Sequence, residues 1–194
     1  MKNFLFTLIF ILISTSLVKA DDIKDFEIEG MSVGDSLLDY ISSKKIDSAF
    51  KNASYYKNDT YVVIFIPKIS KQYDKIQVTL KPNDKKNIIF SVEGIIDYDN
   101  QIENCKIKKK EIIKELKDLF KDIDQLDDDR KYSADPTNNS FSYTTWFFLD
   151  TGGFISVSCT KMGNEVRKKN GWIDELSIAV TSAELEKFLK NDPY

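Results

Sequence analysis

Histidine is absent from all 194 residues. With it go the Ser-His-Asp and Cys-His hydrolases, whose nucleophile needs an imidazole to take its proton, and most zinc and non-haem iron sites. Cysteine occurs only at Cys105 and Cys159, with no C-x-x-C, so a dithiol redox centre is not encoded. Arginine is confined to Arg130 and Arg167, and 28 basic residues face 31 acidic ones for a net charge of −3, which disfavours nucleic acid as a partner. Seven glycines and four prolines are too few for a collagen-like chain, and no apolar run beyond residue 20 approaches the roughly 20 residues of a transmembrane helix.

What is present begins with the first twenty residues. Lys2 supplies a positive start, Phe4–Leu17 is apolar apart from Thr and Ser, and Val18-Lys19-Ala20 places small residues at −3 and −1. This is the pattern of a cleaved secretory signal peptide over residues 1–20, with cleavage between Ala20 and Asp21. The expected product is a single domain, residues 21–194, periplasmic or secreted and without stable membrane insertion after processing. Loss of Lys2 and Lys19 leaves 26 basic against 31 acidic residues, a net charge of −5. No cysteine follows the cleavage site to accept a lipid.

Ser32 three residues ahead of Asp35 resembles a capping box and predicts a short helix from Val33 to Ser43. Tyr61–Ile66 is apolar on both parities, which predicts a central strand buried on both faces. Lys75–Leu80 alternates and turns through Pro82-Asn83-Asp84 into Asn87–Ile96, a hairpin. From Cys105 to Leu126 the period lengthens: Ile112, Leu116, Leu119, Phe120, Ile123 and Leu126 predict one long amphipathic helix. Asp127–Ser140 reads as a polar connection. Phe141–Leu149 and Phe154–Thr160 read as a hairpin about Asp150-Thr151-Gly152-Gly153, Gly163–Gly171 as a charged loop, Trp172–Val180 as the last strand, and Thr181 with Glu184 as the cap of a terminal helix. The expected fold class is α+β, a largely antiparallel sheet of about six strands packed against one long helix and shorter helices, in an order that suggests two β3α halves.

In an oxidising compartment an even cysteine count favours a bridge. Cys159 shares the parity of Ile155 and Val157, and Cys105 opens the long helix expected to lie on that face, so the two are expected to form a disulfide. Gly34-Asp35-Ser36-Leu37 resembles the nucleophile block of GDSL-type esterases, but Ser36 lacks the histidine such enzymes use and reads as a helix cap. Phe147-Phe148-Leu149-Asp150-Thr151-Gly152 resembles the loop of aspartic proteases, whose two carboxylates share a proton. A single such loop would act only in a homodimer, and Gly153 departs from the family pattern. Asp122, Asp124, Asp127, Asp128 and Asp129 fail the EF-hand spacing at its glycine and at its final acid. Most of the aromatic residues are expected in the core, which leaves a strand face carrying Trp146 and Phe148 as the hint of a ligand or partner surface.

The block Phe26-Glu27-Ile28-Glu29-Gly30-Met31-Ser32-Val33-Gly34-Asp35-Ser36-Leu37-Leu38-Asp39-Tyr40 resembles exported proteins of AT-rich marine alphaproteobacteria. That resemblance implies a periplasmic address and no catalytic residues. The expectation is therefore a non-catalytic binding or accessory domain for a small ligand or protein partner, with no cofactor and no metal. The alternative is a carboxylate-dependent hydrolase, aspartic-protease-like at Asp150. Edman sequencing of the exported protein should begin at Asp21, and a chain that still begins at Met1 would refute the processing step.

Overall fold

The computed structural model describes Ile23 and residues 26–66, 72–120 and 123–191, so the signal segment and its cleavage site, Ala20 and Asp21, lie outside the described residues. Four helices are described, α1 (Ser43–Phe50), α2 (Ile102–Leu119), α3 (Asn164–Asn170) and α4 (Ala183–Lys190). The strands are β1 (Ser54–Tyr55), β2 (Val62–Ile66), β3 (Lys75–Leu80), β4 (Ser91–Asp97), β5 (Asp124–Lys131), β6 (Phe141–Phe148), β7 (Phe154–Lys161) and β8 (Glu175–Thr181). They form one antiparallel sheet in the order β1-β2-β3-β4-β8-β7-β6-β5. The α+β class holds, with eight strands instead of about six and the helical part divided among four helices.

The order has a simple logic. Strands β1 to β4 make one meander and β5 to β8 a second, each preceded by a helix. The last strands of the two meanders pair, from Ser91 with Thr181 to Asp97 with Glu175. One face is apolar: Ile155, Val157 and Cys159 of β7 lie level with Val180, Ile178 and Leu176 of β8, and these with Val92, Gly94 and Ile96 of β4. Helix α2 packs on this face over β7 and β8, and α1 over β2. The α2 stripe that meets the sheet includes Cys105, Ile112 and Leu116, at helical spacing.

Several sequence expectations need correction. Leu37–Asp39 is a single 3-10 turn rather than a helix over 33–43, because Gly34 and Leu37 donate their N–H groups to Ile89 and Asn87 across the chain. Tyr61–Ile66 becomes β2, next to the short edge strand β1 instead of at the centre, and its Phe65 is 50% exposed. Helix α2 stops at Leu119, where Phe120 turns extended. Residues expected at its C-terminus and in the polar connection are instead β5, paired along its whole length with β6. Leu126, in helical register with Leu119 and Ile123, is 52% exposed on that edge strand.

The charged loop 163–171 contains α3, closed by Gly171 at a left-handed φ of 69° and by three basic residues in its last turn. Two buried carboxylates fix the loops at one end of the sheet, Asp174 between β7 and β8 and Asp135 between β5 and β6. Asp174, almost fully buried, accepts the Met162 N–H at 2.8 Å and pairs with Arg167, whose Nε donates to the Met162 carbonyl at 2.9 Å. Asp135, also buried, accepts from the N–H groups of Thr137, Asn139 and Ser140 and from the hydroxyls of Thr137 and Ser140. Burial alone raises the pKa of that carboxyl, but the bonds from Ser140 and Thr137 outweigh it and hold it down to about 2.

Cys105 and Cys159 form the expected disulfide, with Cα atoms 6.0 Å apart and a sequence separation of 54. The bridge joins α2 to the centre of β7 inside the apolar layer. Closing a loop of this length removes about 4 kcal/mol of unfolded-chain entropy in the simplest treatment. Reduction, or the paired Cys105→Ser and Cys159→Ser substitutions, should lower stability by roughly 2–5 kcal/mol with the fold retained. Thermal melting followed by circular dichroism, with and without reductant, checks this.

Candidate functional site

The face opposite α1 and α2 has a different chemistry. Trp146, Ser156, Ala179, Glu93 and Gln77 stand level across β6, β7, β8, β4 and β3. The next row is Thr144, Ser158, Ser177, Ile95 and Lys75, and the one after it Ser142, Thr160, Glu175 and Asp97. From Ser156 to Thr160 on β7 and from Ser177 to Ala179 on β8 the side chains are small, Phe154 and Glu175 stand at the two ends of these runs, and the large side chains of Trp146, Glu93, Gln77 and Lys75 flank them. The result is a trough floored by hydroxyls, walled on one side by Trp146 and Phe148 and on the other by Glu93 and Gln77. Indole and carboxyl positions are three strand spacings apart, about 14 Å.

Helix α4 closes one end of this face. Ser182 caps it, accepting from the Leu185 N–H at 3.2 Å, which moves the expected cap one residue on from Thr181. Phe188 lies 5.0 Å from the Tyr61 ring, and Lys190 sits over Phe148 at 5.8 Å. Glu184 accepts from Tyr61 at 2.9 Å and from Lys81 at 2.6 Å. At the wall, Trp146 meets Phe154 edge-on with ring centroids 4.8 Å apart.

The floor is only partly satisfied. Ser142, Thr144 and Ser158 form a triangle of hydroxyls with edges of 2.8–3.0 Å. Gln77 donates to Glu93 at 2.9 Å, and Ser177 bonds the same carboxyl. Lys75 is paired with Asp97 at 2.6 Å. Ser156, Thr160 and Glu175, by contrast, make no side-chain hydrogen bond among the described residues, although Ser156 is only 8% and Thr160 only 5% exposed. Their oxygens are not sealed away from solvent.

Burial sets the electrostatics. It pushes the Glu175 carboxyl up to about 7, helped by the charges of Glu93 and Asp97 and opposed by Lys75. It also raises Glu93, against the Ser177 hydrogen bond. On the other face, burial lowers Lys109 of α2 against the pull of Asp127 and Asp129.

The sequence-derived candidates lie elsewhere. The Ser36 hydroxyl donates to the Lys86 carbonyl at 2.6 Å and caps the Leu38 N–H, so it is spent on structure. Tyr40 and the Ser32 N–H both bond Asp35, which raises the Tyr40 hydroxyl to about 12 through burial first and the Asp35 bond second. Asp150 lies in the exposed turn between β6 and β7, held by Gly153, whose φ is 84° and whose N–H donates to Glu186 at 2.8 Å. Asp124 and Asp128 project to one face of β5, Asp127 and Asp129 to the other, and Asp122 lies outside the described residues. Trp146 and Phe148 do stand on a shared open face, as their parity implied. A cleft of about 350 Å³ between Asp59–Thr60 and Lys81–Asp84 is separate from the trough, and its Lys81 is already bound by Glu184.

No family model, no curated protein and no solved structure matches this chain. Among the described residues, no helix is long and apolar enough to cross a membrane.

The raised carboxyls fix the sign of a pH effect. A glutamate whose pKa is higher in the folded chain stabilises that chain at low pH, and the stabilisation is lost as pH rises from its ordinary 4.5 through about 7. Asp135 acts in the opposite sense, since its contribution is present above its ordinary 3.8 and is lost as pH falls towards 2. Melting temperature should therefore peak between about pH 4 and 5 and decline towards pH 8. Glu175→Gln should flatten the neutral limb and leave the acid limb unchanged; an unaltered neutral limb would refute the assignment.

Proposed function

We propose that this chain is an exported, non-catalytic binding domain, periplasmic or secreted, that receives a small ligand in the trough. The carrying observation is the set of polar groups on its floor whose oxygens stay open to solvent. Two hydroxyls and one carboxyl make no side-chain hydrogen bond among the described residues and keep their oxygens in reach of solvent, beside a wall that includes tryptophan. Polar groups that reach solvent exchange water for a ligand's hydrogen bonds without a bond inside the chain having to be broken first. The arrangement matches the general plan of small-molecule sites, an aromatic wall with a few convergent polar groups. The disulfide suits an oxidising compartment.

A binding reading is favoured over the hydrolase reading by where the carboxylates are. Asp150 sits at an exposed turn, while the interacting carboxyls Glu93 and Glu175 lie on the open face, one at the side of the trough and one at its end. A thermal-shift screen of small metabolites against the purified domain should find compounds that raise its melting temperature. Ser156→Trp, which fills the floor, should abolish those shifts while leaving the unliganded protein folded. Shifts that persist in this variant would place the ligand elsewhere.

A further inference from the structure

Resting on the reading of the trough as a binding site, we infer that its ligand is a neutral oligosaccharide, a short chain of uncharged sugar units laid across the strands from Trp146 to Glu93. Span, hydrogen-bonding capacity and charge converge on this chemistry.

Span separates a compact ligand from an extended one. Ser156 and Ala179 lie between the Trp146 and Glu93 positions, so the row crosses three strand spacings, about 14 Å. A compact group placed at one wall leaves the other untouched. A linear oligosaccharide repeats the same hydroxyls and the same apolar C–H faces along its length, so one molecule serves both walls and the floor between them.

Hydrogen bonding sets what that molecule must supply. The bonds among Ser142, Thr144 and Ser158 use the proton of every member, which leaves the triangle with lone pairs only. Ser177 is bonded to the Glu93 carboxyl, which also takes an amide hydrogen of Gln77. The floor therefore donates chiefly through the hydroxyls of Ser156 and Thr160, and it accepts through all of these residues and Glu175. Each sugar hydroxyl brings a proton and accepts as well, so a chain of them answers both kinds of group. Phosphate, sulfate and carboxylate ligands bring acceptors where protons are wanted.

Charge points the same way. Thr144, Ser156, Ser158, Thr160, Ser177 and Ala179 form an uncharged floor, and Glu93, Glu175 and Asp97 stand at its margins, with Lys75 paired to Asp97 at 2.6 Å. A neutral chain crosses this floor without stranding a charge on it, whereas an anionic chain meets like charge at the margin. Trp146 completes the fit, since C–H bonds on a sugar face carry partial positive charge and pack on the negative face of an aromatic ring. Phe154 braces the indole edge-on at 4.8 Å between centroids, which limits the freedom it loses on binding.

In the test, maltotetraose, cellotetraose and laminaritetraose, neutral glucose chains of different linkage, are titrated into the purified protein beside glucose and tetragalacturonate. Calorimetry and tryptophan fluorescence are the readouts, and circular dichroism melts establish that each variant is folded. At least one tetraose should bind at least ten-fold more tightly than glucose and than the acidic tetramer. Trp146→Ala should weaken it by at least ten-fold, Trp146→Phe and Thr160→Val by smaller factors, and Ser156→Trp should abolish it. Failure of every neutral tetraose to bind more tightly than glucose, or tighter binding of tetragalacturonate, would overturn the oligosaccharide; the trough would still stand if hits from the thermal-shift screen are lost in Ser156→Trp. Tetraose binding that survives both Ser156→Trp and Trp146→Ala would overturn the trough itself.

Discussion

The ladder between β4 and β8 is the constraint on which the rest depends. It joins two meanders that could otherwise each close on themselves, and it pairs segments some eighty positions apart in the chain. The open-face carboxyls Glu93, Asp97 and Glu175 lie along it. Glu93 and Ser177 meet across it, Glu175 stands at its end opposite Asp97, and Ser91 bonds Thr181 at the other end at 2.9 Å. Pairing of such distant segments carries a high loop-closure cost, so the seam should form late relative to the local hairpins β3–β4 and β6–β7.

The apolar layer and the disulfide make that seam permanent. Helix α2 connects the meanders and lies over β7 and β8, the strands that carry the seam into the second half. Its bridge to Cys159 fixes helix and sheet at one point, while Asp174 with Arg167 and Asp135 with Ser140 fix the loops below. Gly163 links those two loops, because its N–H donates to the Ser140 hydroxyl at 2.8 Å. The protein thus spends one of its two arginines on structure.

Sequence reasoning reached what local pattern determines. Alternation in 75–80 and 154–160 set the strands and their apolar parity, and that parity together with an even cysteine count located the bridge. It missed what depends on distant pairing. Nothing near Glu93 or Glu175 marks either as special, since they approach only when β4 meets β8. Leu126 misled because its spacing from Leu119 and Ile123 fits a helix, while the gain from pairing all of β5 with β6 is invisible locally. Helix α3 escaped because Val166 is its one buried residue and its clearest signal is the terminal Gly171.

The two edges of the sheet differ in a way that bears on behaviour at high concentration. Strand β1 is only two residues long and offers little template for another chain. Strand β5 is eight residues long, has no strand beyond it among the described residues, and carries Asp124, Asp127, Asp128 and Asp129. Two copies meeting along β5 would bring these carboxylates together, and the repulsion offsets the hydrogen bonds such a contact would gain. The acidic run thereby acts against fibre-like stacking of the folded chains, and this protection weakens at high salt, where the charges are screened.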